Sequence, residues 1–367
     1  MRVVLVGDAL TGERLAFDVY DQGGRLLLAA GSVLTPRYVR ELSARGYRSI
    51  GVVDPLAPDV RQTEPLRALT RDQATRTVTR CMALATARGG GIAAAGILAV
   101  IDDILRCMQA SVSVAVNLLS LRSMETELFT HSVNVCAYTL LLASNSHLGL
   151  DHVDLRHLGI GALLHDIGKI FCMDLVSQAG PLSPAEYGRL QRHTVDGFEW
   201  LRRQQEIDLR SAHVAFQHHE RLDGSGYPRG LSGEQIHPWA RLVAIADCYD
   251  AATADHPGSS QRPPHLVLAE LEAEAATGRL DPSGISLLRA RVAAYPVGSI
   301  LQLRSGEIAI VIAQTEAGPD RPRFRVLADA QRTRVTPEER DAAPGRPATE
   351  IDSVLADYPP ELLKDAP

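Results

Sequence analysis

The chain has 367 residues, 45% of them hydrophobic and 22% charged, ordinary values for a soluble globular protein with room for two or three domains. Its net charge of −6 argues against a broad nucleic-acid or anionic-membrane surface, so phosphate on any substrate must be met locally, by metal or by a few Lys and Arg. The cysteines Cys81, Cys107, Cys136, Cys172 and Cys248 are odd in number and form no C-x-x-C pair, which suits free thiols in a reducing cytoplasm.

Residues 1–55 predict a small α+β unit. RVVLV is strand-like, Gly23-Gly24 marks a turn before RLLLAA, Thr35-Pro36 pairs an N-cap with a first helical position, Gly46 stops that helix, and YRSIGVV closes as a strand. The opening apolar run is too short for a signal peptide. Residues 56–69, rich in Pro and polar side chains, predict a linker. From 70 to 296 apolar residues recur at three-to-four spacing, the mark of a helical domain. Its most apolar stretch is interrupted by Asp102, Asp103 and Arg106 and so predicts a buried helix, not a membrane span. Residues 297–338 predict a short antiparallel β unit: SILQLR, a Ser305-Gly306 turn, EIAIVIA, then RFRVLAD. Residues 339–367, rich in Pro, Ala and acid, predict a flexible tail.

Within the helical domain several of the 12 histidines stand beside acids. Glu127 and His131 are four apart and share a helix face. His165 and Asp166 are adjacent, with Lys169 one turn on; then come His193, the pair His218-His219, and Asp247 with Asp250 three apart. Singly, each has an ordinary explanation, as a surface imidazole or a helix cap. Together they supply the mixed nitrogen and oxygen donors that two or three divalent first-row ions require, with carboxylates able to bridge. Neighbours on a helix point about 100° apart, so His218 and His219 can both serve one site only near a helix end. Gly224 and Gly226 supply the break.

The motifs His131-Ser132, His165-Asp166-x-Gly168-Lys169, His193 with Gly197, His218-His219-Glu220, Asp223-Gly224-x-Gly226-Tyr227-Pro228 and Asp247-x-x-Asp250-Ala251 resemble the HD-GYP family, a branch of the HD superfamily of metal-dependent phosphohydrolases. The resemblance implies a mainly α protein: an all-helical HD-type metallohydrolase domain flanked by the small N-terminal α+β unit and the C-terminal β unit. It implies hydrolysis of cyclic di-GMP to the linear dinucleotide pGpG, and in some members GMP. It also implies metal ligation at the positions of His131, His165, Asp166, His193, His218, His219 and Asp247, and at Glu127 where a third ion binds. GGDEF-domain or other signalling proteins are implied partners through the Gly-Tyr-Pro loop, with a homodimer as a further option.

The chemistry of phosphodiester cleavage gives these residues roles. Paired ions about 3.5–4 Å apart lower the pKa of a shared water and neutralise phosphoryl charge, and Asp166 is the natural bridge. Lys169 suits a phosphate oxygen, and Asp250 suits the orienting of a histidine or water. Gly226 brings the backbone close while Tyr227 offers its ring to a guanine. Iron or manganese fits a donor set without thiolate. One departure concerns substrate: where the family has basic residues after Asp250-Ala251, this chain has His256 and Ser259, leaving Arg262 as the nearest guanidinium beyond them. A second reading follows from that loss, a catalytically slow, metal-bearing cyclic di-GMP receptor or interaction scaffold.

Overall fold

The computed structural model describes residues 2–7, 10–20, 26–45, 47, 49–61, 66, 68–87, 91–110, 127–176, 178, 180–254, 262–342 and 351–363. In the N-terminal unit β1 (Arg2–Leu5) pairs antiparallel with β4 (Ser49–Val52), and β2 (Val19–Tyr20) with β3 (Leu26–Leu28). Helix α1 (Pro36–Ala44) starts where the Thr35 hydroxyl accepts the Tyr38 amide, with Pro36 at the first turn. Its Val39 and Leu42 pack with Leu15, Val19, Leu34, Ile50 and Val52 into a separate small core. Gly23, Gly24 and Gly46 lie outside the described residues.

The helical body runs through α2 (Ala68–Thr86), α3 (Ala94–Ala110), α4 (Glu127–Ser144) and α5 (His152–Leu163). A 3₁₀ helix, Ile167–Cys172, leads into α6 (Met173–Val176), followed by α7 (Pro184–Gln191), α8 (His193–Leu201) and α9 (Leu209–Gln217). Then come α10 (Pro238–Thr253), α11 (Pro264–Ala276) and α12 (Pro282–Arg291). Helix α4 is the axis, packed by α2, α3, α5, α10 and α12. Every residue from His131 to Ala143 is buried, as a helix enclosed on all sides requires. Its polar members His131, Ser132 and Asn134 therefore need partners inside the protein. No helix among the described residues is long and apolar enough to cross a membrane.

The C-terminal sheet is antiparallel and larger than the predicted unit. Its order is β8 (Arg334–Asp341), β7 (Gly318–Ala328), β6 (Ile308–Thr315), β5 (Ile300–Leu303), β9 (Ile351–Leu355). The two-residue period of a strand sorts its apolar side chains onto two faces. Leu301, Leu303, Ala309 and Val311 join the helical core, whereas Ile300, Ile308 and Ile310 face Ala57, Val60, Tyr358 and Leu362.

Two boundaries differ from the sequence reading. Residues 339–367 are not simply a loose tail: β8 extends through Asp341, β9 closes the sheet on β5, and α13 (Pro360–Leu363) buries Leu362. The segment after Asp54 is not a free linker either. Asp54 accepts the amides of Leu56 and Ala57 at 2.9 and 3.1 Å, folding this stretch onto the sheet. None of the described cysteines is in a disulfide.

Candidate metal centre

Four helices and one turn deliver the cluster. His131 lies in the first turns of α4, and Asp247 and Asp250 on the buried face of α10. His165 and Asp166 occupy the turn between α5 and the 3₁₀ helix. His193 opens α8; His218 caps the end of α9, with His219 just past it. The helix thus stops where the adjacent histidines need it to. Close backbone packing sets the spacing between two of these pieces. A Cβ on Gly168 would collide with the His193 carbonyl and the Gly197 amide, so only glycine lets the 3₁₀ helix abut α8.

Each ring is oriented from behind. The Nδ1 atoms of His165, His193 and His218 lie 2.8, 2.7 and 2.9 Å from the carbonyls of Ala162, Leu190 and Ala215, three residues earlier in each case. A carbonyl only accepts, so each Nδ1 carries a hydrogen and each ring turns its Nε2 inward. The Nε2 atoms of His193 and His218 face each other at 3.3 Å. His165 Nε2 and Asp166 Oδ1 are buried without a partner in hydrogen-bond geometry. Lone pairs converging with no hydrogen to share repel; a cation between them removes the conflict.

The donors fall into two sets, each with ligand atoms within 4.8 Å of one another: His131, His165 and Asp247, and Asp166, His193, His218 and His219. Asp166 straddles them. Its Oδ2 is 3.3 Å from His165 Nε2 and 3.7 Å from His131 Nε2, while its Oδ1 is 3.3 Å from His193 Nε2 and 3.6 Å from His218 Nε2. Asp247 also reaches both, with Oδ1 3.1 Å from His131 Nε2 and Oδ2 3.7 Å from His219 Nδ1. Two carboxylates with an oxygen toward each set, and imidazoles behind them, are the donor set that a pair of divalent ions requires.

Electrostatics support this. Burial opposes ionisation of Asp166 and Asp247, yet Lys169 with His165 and His193 holds Asp166, and His131, His219 and His165 hold Asp247, well below the usual carboxylate range. Burial would likewise lower His131, but its bonds to Asp247 and Asp250 outweigh it and raise the ring to about 9. The Lys169 ammonium, 2.5 Å from Asp166 Oδ2, is raised by Asp166 and Asp247 despite burial. The acids thus carry negative charge that a proton and an ammonium now balance. Burial drives His218 down to about 4 and His219 well below its usual value, so these two stay neutral and available as donors.

Comparison with known proteins is consistent with this constellation. Residues 117–284 match the family model for the HD domain. A cyclic di-GMP phosphodiesterase of Pseudomonas aeruginosa is 33% identical over 235 residues, covering 63% of this chain and 55% of that protein. A cyclic di-GMP phosphodiesterase response regulator of Xanthomonas campestris pv. campestris is 41% identical over 148 residues, 39% of each chain. A 3'3'-cGAMP-specific phosphodiesterase of Vibrio cholerae is 34% identical over 160 residues, 43% of this chain and 34% of that one. Residues 117–284 thus resemble the HD domain. The chain spans about half the length or less of these relatives.

The Gly-Tyr-Pro loop reaches back over the cluster. A Cβ on Gly226 would strike the backbone of His219, Glu220 and Arg221, and the Tyr227 amide donates to the His219 carbonyl at 3.2 Å. The half-buried Tyr227 ring lies over His219, centroids 4.7 Å apart and planes 30° apart. Glu220, buried, accepts the amides of Arg229 and Leu231, both at 2.9 Å, and so pins the far end of the loop. The Tyr227-Pro228 peptide is cis.

The remaining sequence candidates stand apart. Asp250 touches His131 Nδ1 at 2.7 Å and belongs to neither donor set, a ring-orienting position. Arg262 forms an exposed ion pair with Glu270 of α11. The side chain of Glu127 and all of His256 and Ser259 lie outside the described residues. Three contributors carried no sequence signal of their own: buried Glu220, which entered only as a motif letter, and the pair of buried Asn134 and half-buried Arg71.

Proposed function

We propose that the chain is a metal-dependent phosphodiesterase that hydrolyses cyclic di-GMP to linear pGpG, with GMP as a further product where a second cut follows. The observation that carries the reading is Asp166, whose two oxygens face separate imidazole sets beneath an aromatic loop. Two divalent ions, iron or manganese, would be held by His131, His165 and Asp247 on one side and His193, His218 and His219 on the other, with Asp166 between. When bound they supply Lewis acidity, lowering the pKa of water and neutralising phosphoryl charge.

The chain's own residues do the rest. Lys169, partly exposed beside Asp166, offers its ammonium to a non-bridging phosphoryl oxygen and stabilises charge that grows toward the transition state. Tyr227, with Gly226 holding the backbone close, presents a ring for stacking against guanine. Burial raises its phenol pKa, so the hydroxyl stays a hydrogen-bond donor at neutral pH. Asp250 holds His131 in place. The loop tip, with Asp223, Ser225 and Arg229 exposed, is the surface a signalling partner such as a GGDEF protein would meet.

The test is a single-turnover assay of iron- and manganese-loaded protein, prepared without oxygen, against cyclic di-GMP and against 3'3'-cGAMP. Formation of the linear dinucleotide from cyclic di-GMP is the expected result. Full metal occupancy with no cleavage of either compound would overturn the enzyme reading, and faster cleavage of 3'3'-cGAMP would reassign the substrate.

A further inference from the structure

The rings of His165, His193 and His218 are aimed by backbone carbonyls, which move only if a helix moves. His131 differs, because a side-chain carboxylate aims it: its Nδ1 lies 2.7 Å from Asp250 Oδ2. A carboxylate can rotate, so the ring is only as fixed as whatever fixes Asp250. The other oxygen, Asp250 Oδ1, accepts from Asn134 Nδ2 at 2.8 Å, and Asn134 Oδ1 accepts from Arg71 Nη1 at 2.9 Å. Asn134, Asp250 and His131 are all buried.

The order of donors and acceptors allows this chain to run one way only. A guanidinium has no acceptor and a carboxylate no donor, so the Asn134 amide must show its oxygen to Arg71 and its nitrogen to Asp250. Without the guanidinium the amide loses that bias. Turned over, it would set an oxygen against Asp250 Oδ1, and the carboxylate would swing away from His131. Arg71 also brings positive charge toward a buried carboxylate across a polarisable amide. It stands on α2, the helix that follows the N-terminal unit and packs on α3, α4 and the 3₁₀ helix carrying Lys169.

We propose that Arg71 is a positioning residue for the metal centre: through Asn134 and Asp250 it fixes the His131 ring, so that the placement of α2 sets how tightly the His131–His165–Asp247 donor set holds a divalent cation. The inference rests on reading the cluster as a metal centre and extends it to a residue 60 positions from the nearest ligand in sequence.

The test uses the full chain and Co²⁺ as probe, titrated in competition with a chromophoric chelator while the visible spectrum of the bound ion is followed. Groups that orient a ligand from outside typically change metal affinity 10–100-fold, and Arg71 acts through two intermediates, so Arg71→Met should weaken Co²⁺ binding by roughly tenfold and alter the spectrum. Arg71→Lys keeps a donor and should recover most of the affinity; it also serves as the comparison if the Met variant fails to fold, as judged by melting with chelator present. In an Asn134→Leu background, where the path is already cut, Arg71→Met should cause no further loss. Unchanged affinity in Arg71→Met would overturn the relay, as would a second full loss in the Asn134→Leu background, which would make Arg71 a general structural residue. Wild-type protein that takes up no Co²⁺ would instead overturn the metal-centre reading beneath it.

Discussion

At the scale of single residues, the divided allegiance of Asp166 makes it the least replaceable group. Asp166→Asn leaves one oxygen and puts a donating amide where a lone pair faced His165 or His193. One donor set loses its Asp166 oxygen and the other keeps only a neutral one, so bound metal and single-turnover rate should each fall on the order of 100-fold or more; retention of two ions per chain by elemental analysis would refute the bridging role. The metal-free cluster should also have a characteristic pH response. With His218 held near 4 and His219 well below its usual value, the unfolded chain takes up protons near pH 6.5 that the folded chain refuses. Stability therefore drops as pH falls from about 6.5 toward 4, by up to about 1.4 kcal/mol per pH unit for each histidine. His131 has the opposite sign: its contribution is full below about 6.5 and is lost as pH rises through about 9. Chelator-treated protein should thus melt highest near pH 6.5, and a flat Tm between about pH 4.5 and 8.5 would contradict these assignments. At this scale the donors are legible in sequence because His-Asp, His-His and Asp-x-x-Asp are local patterns. Arg71 and Asn134 are not, since their bond spans 63 positions and each alone looks like any helical polar residue.

At the scale of elements, the site depends on backbone surfaces that approach too closely for a side chain. Gly168→Ala would drive a methyl into the His193 carbonyl and the Gly197 amide, neither of which is a flexible side-chain end. The 3₁₀ helix and α8 must separate, at a cost of about 1–3 kcal/mol in the denaturant midpoint, with His193 carried away from Asp166. Gly96→Ala in α3 is the control: its Cβ meets nothing within 4 Å and should stabilise by about 0.5–1 kcal/mol. Equal midpoints for the two variants would dismiss close packing as the reason for glycine at 168. Helices with three-to-four spacing and the α9 stop before His218 follow from local rules. Strand β8 does not, because RVTPEERD is exposed along most of its length and contains Pro337. It survives as an edge strand, where proline is tolerated, and is tied across by Arg323 to Asp341 and Arg325 to Glu339. Such pairing information lies in partners 14 and 18 residues away, not in the strand's own periodicity.

At the scale of the whole molecule, the two ends of the chain meet. Arg2, mostly buried, bonds both carboxylate oxygens of Asp357 at 2.7 and 2.8 Å and Glu13 at 2.6 Å. Asp54, fully buried, accepts the Tyr358 hydroxyl at 3.1 Å, and Asp59 pairs with Arg325 of β7 at 2.8 Å. The segment that the sequence marks as a tail is therefore a clip that fastens the N-terminal unit to the sheet, and the sheet in turn packs on the helical core. Tyr358→Phe keeps the ring among Ala57, Val60, Ile300 and Ile308 but removes the donor from a buried carboxylate, which should cost about 1–3 kcal/mol. Adding Arg2→Met removes the second tie. The double variant should then release the N-terminal unit under limited proteolysis, by cleavage before α2, while the helical body stays resistant and its metal content is unchanged. Because local opening governs cleavage, the measure is the rate of that cut relative to wild type, and a few kcal/mol lost locally should raise it at least tenfold. A cleavage rate equal to that of the wild type would show that the N-terminal unit is held by other contacts, and loss of metal along with the cut would show that the clip supports the centre itself.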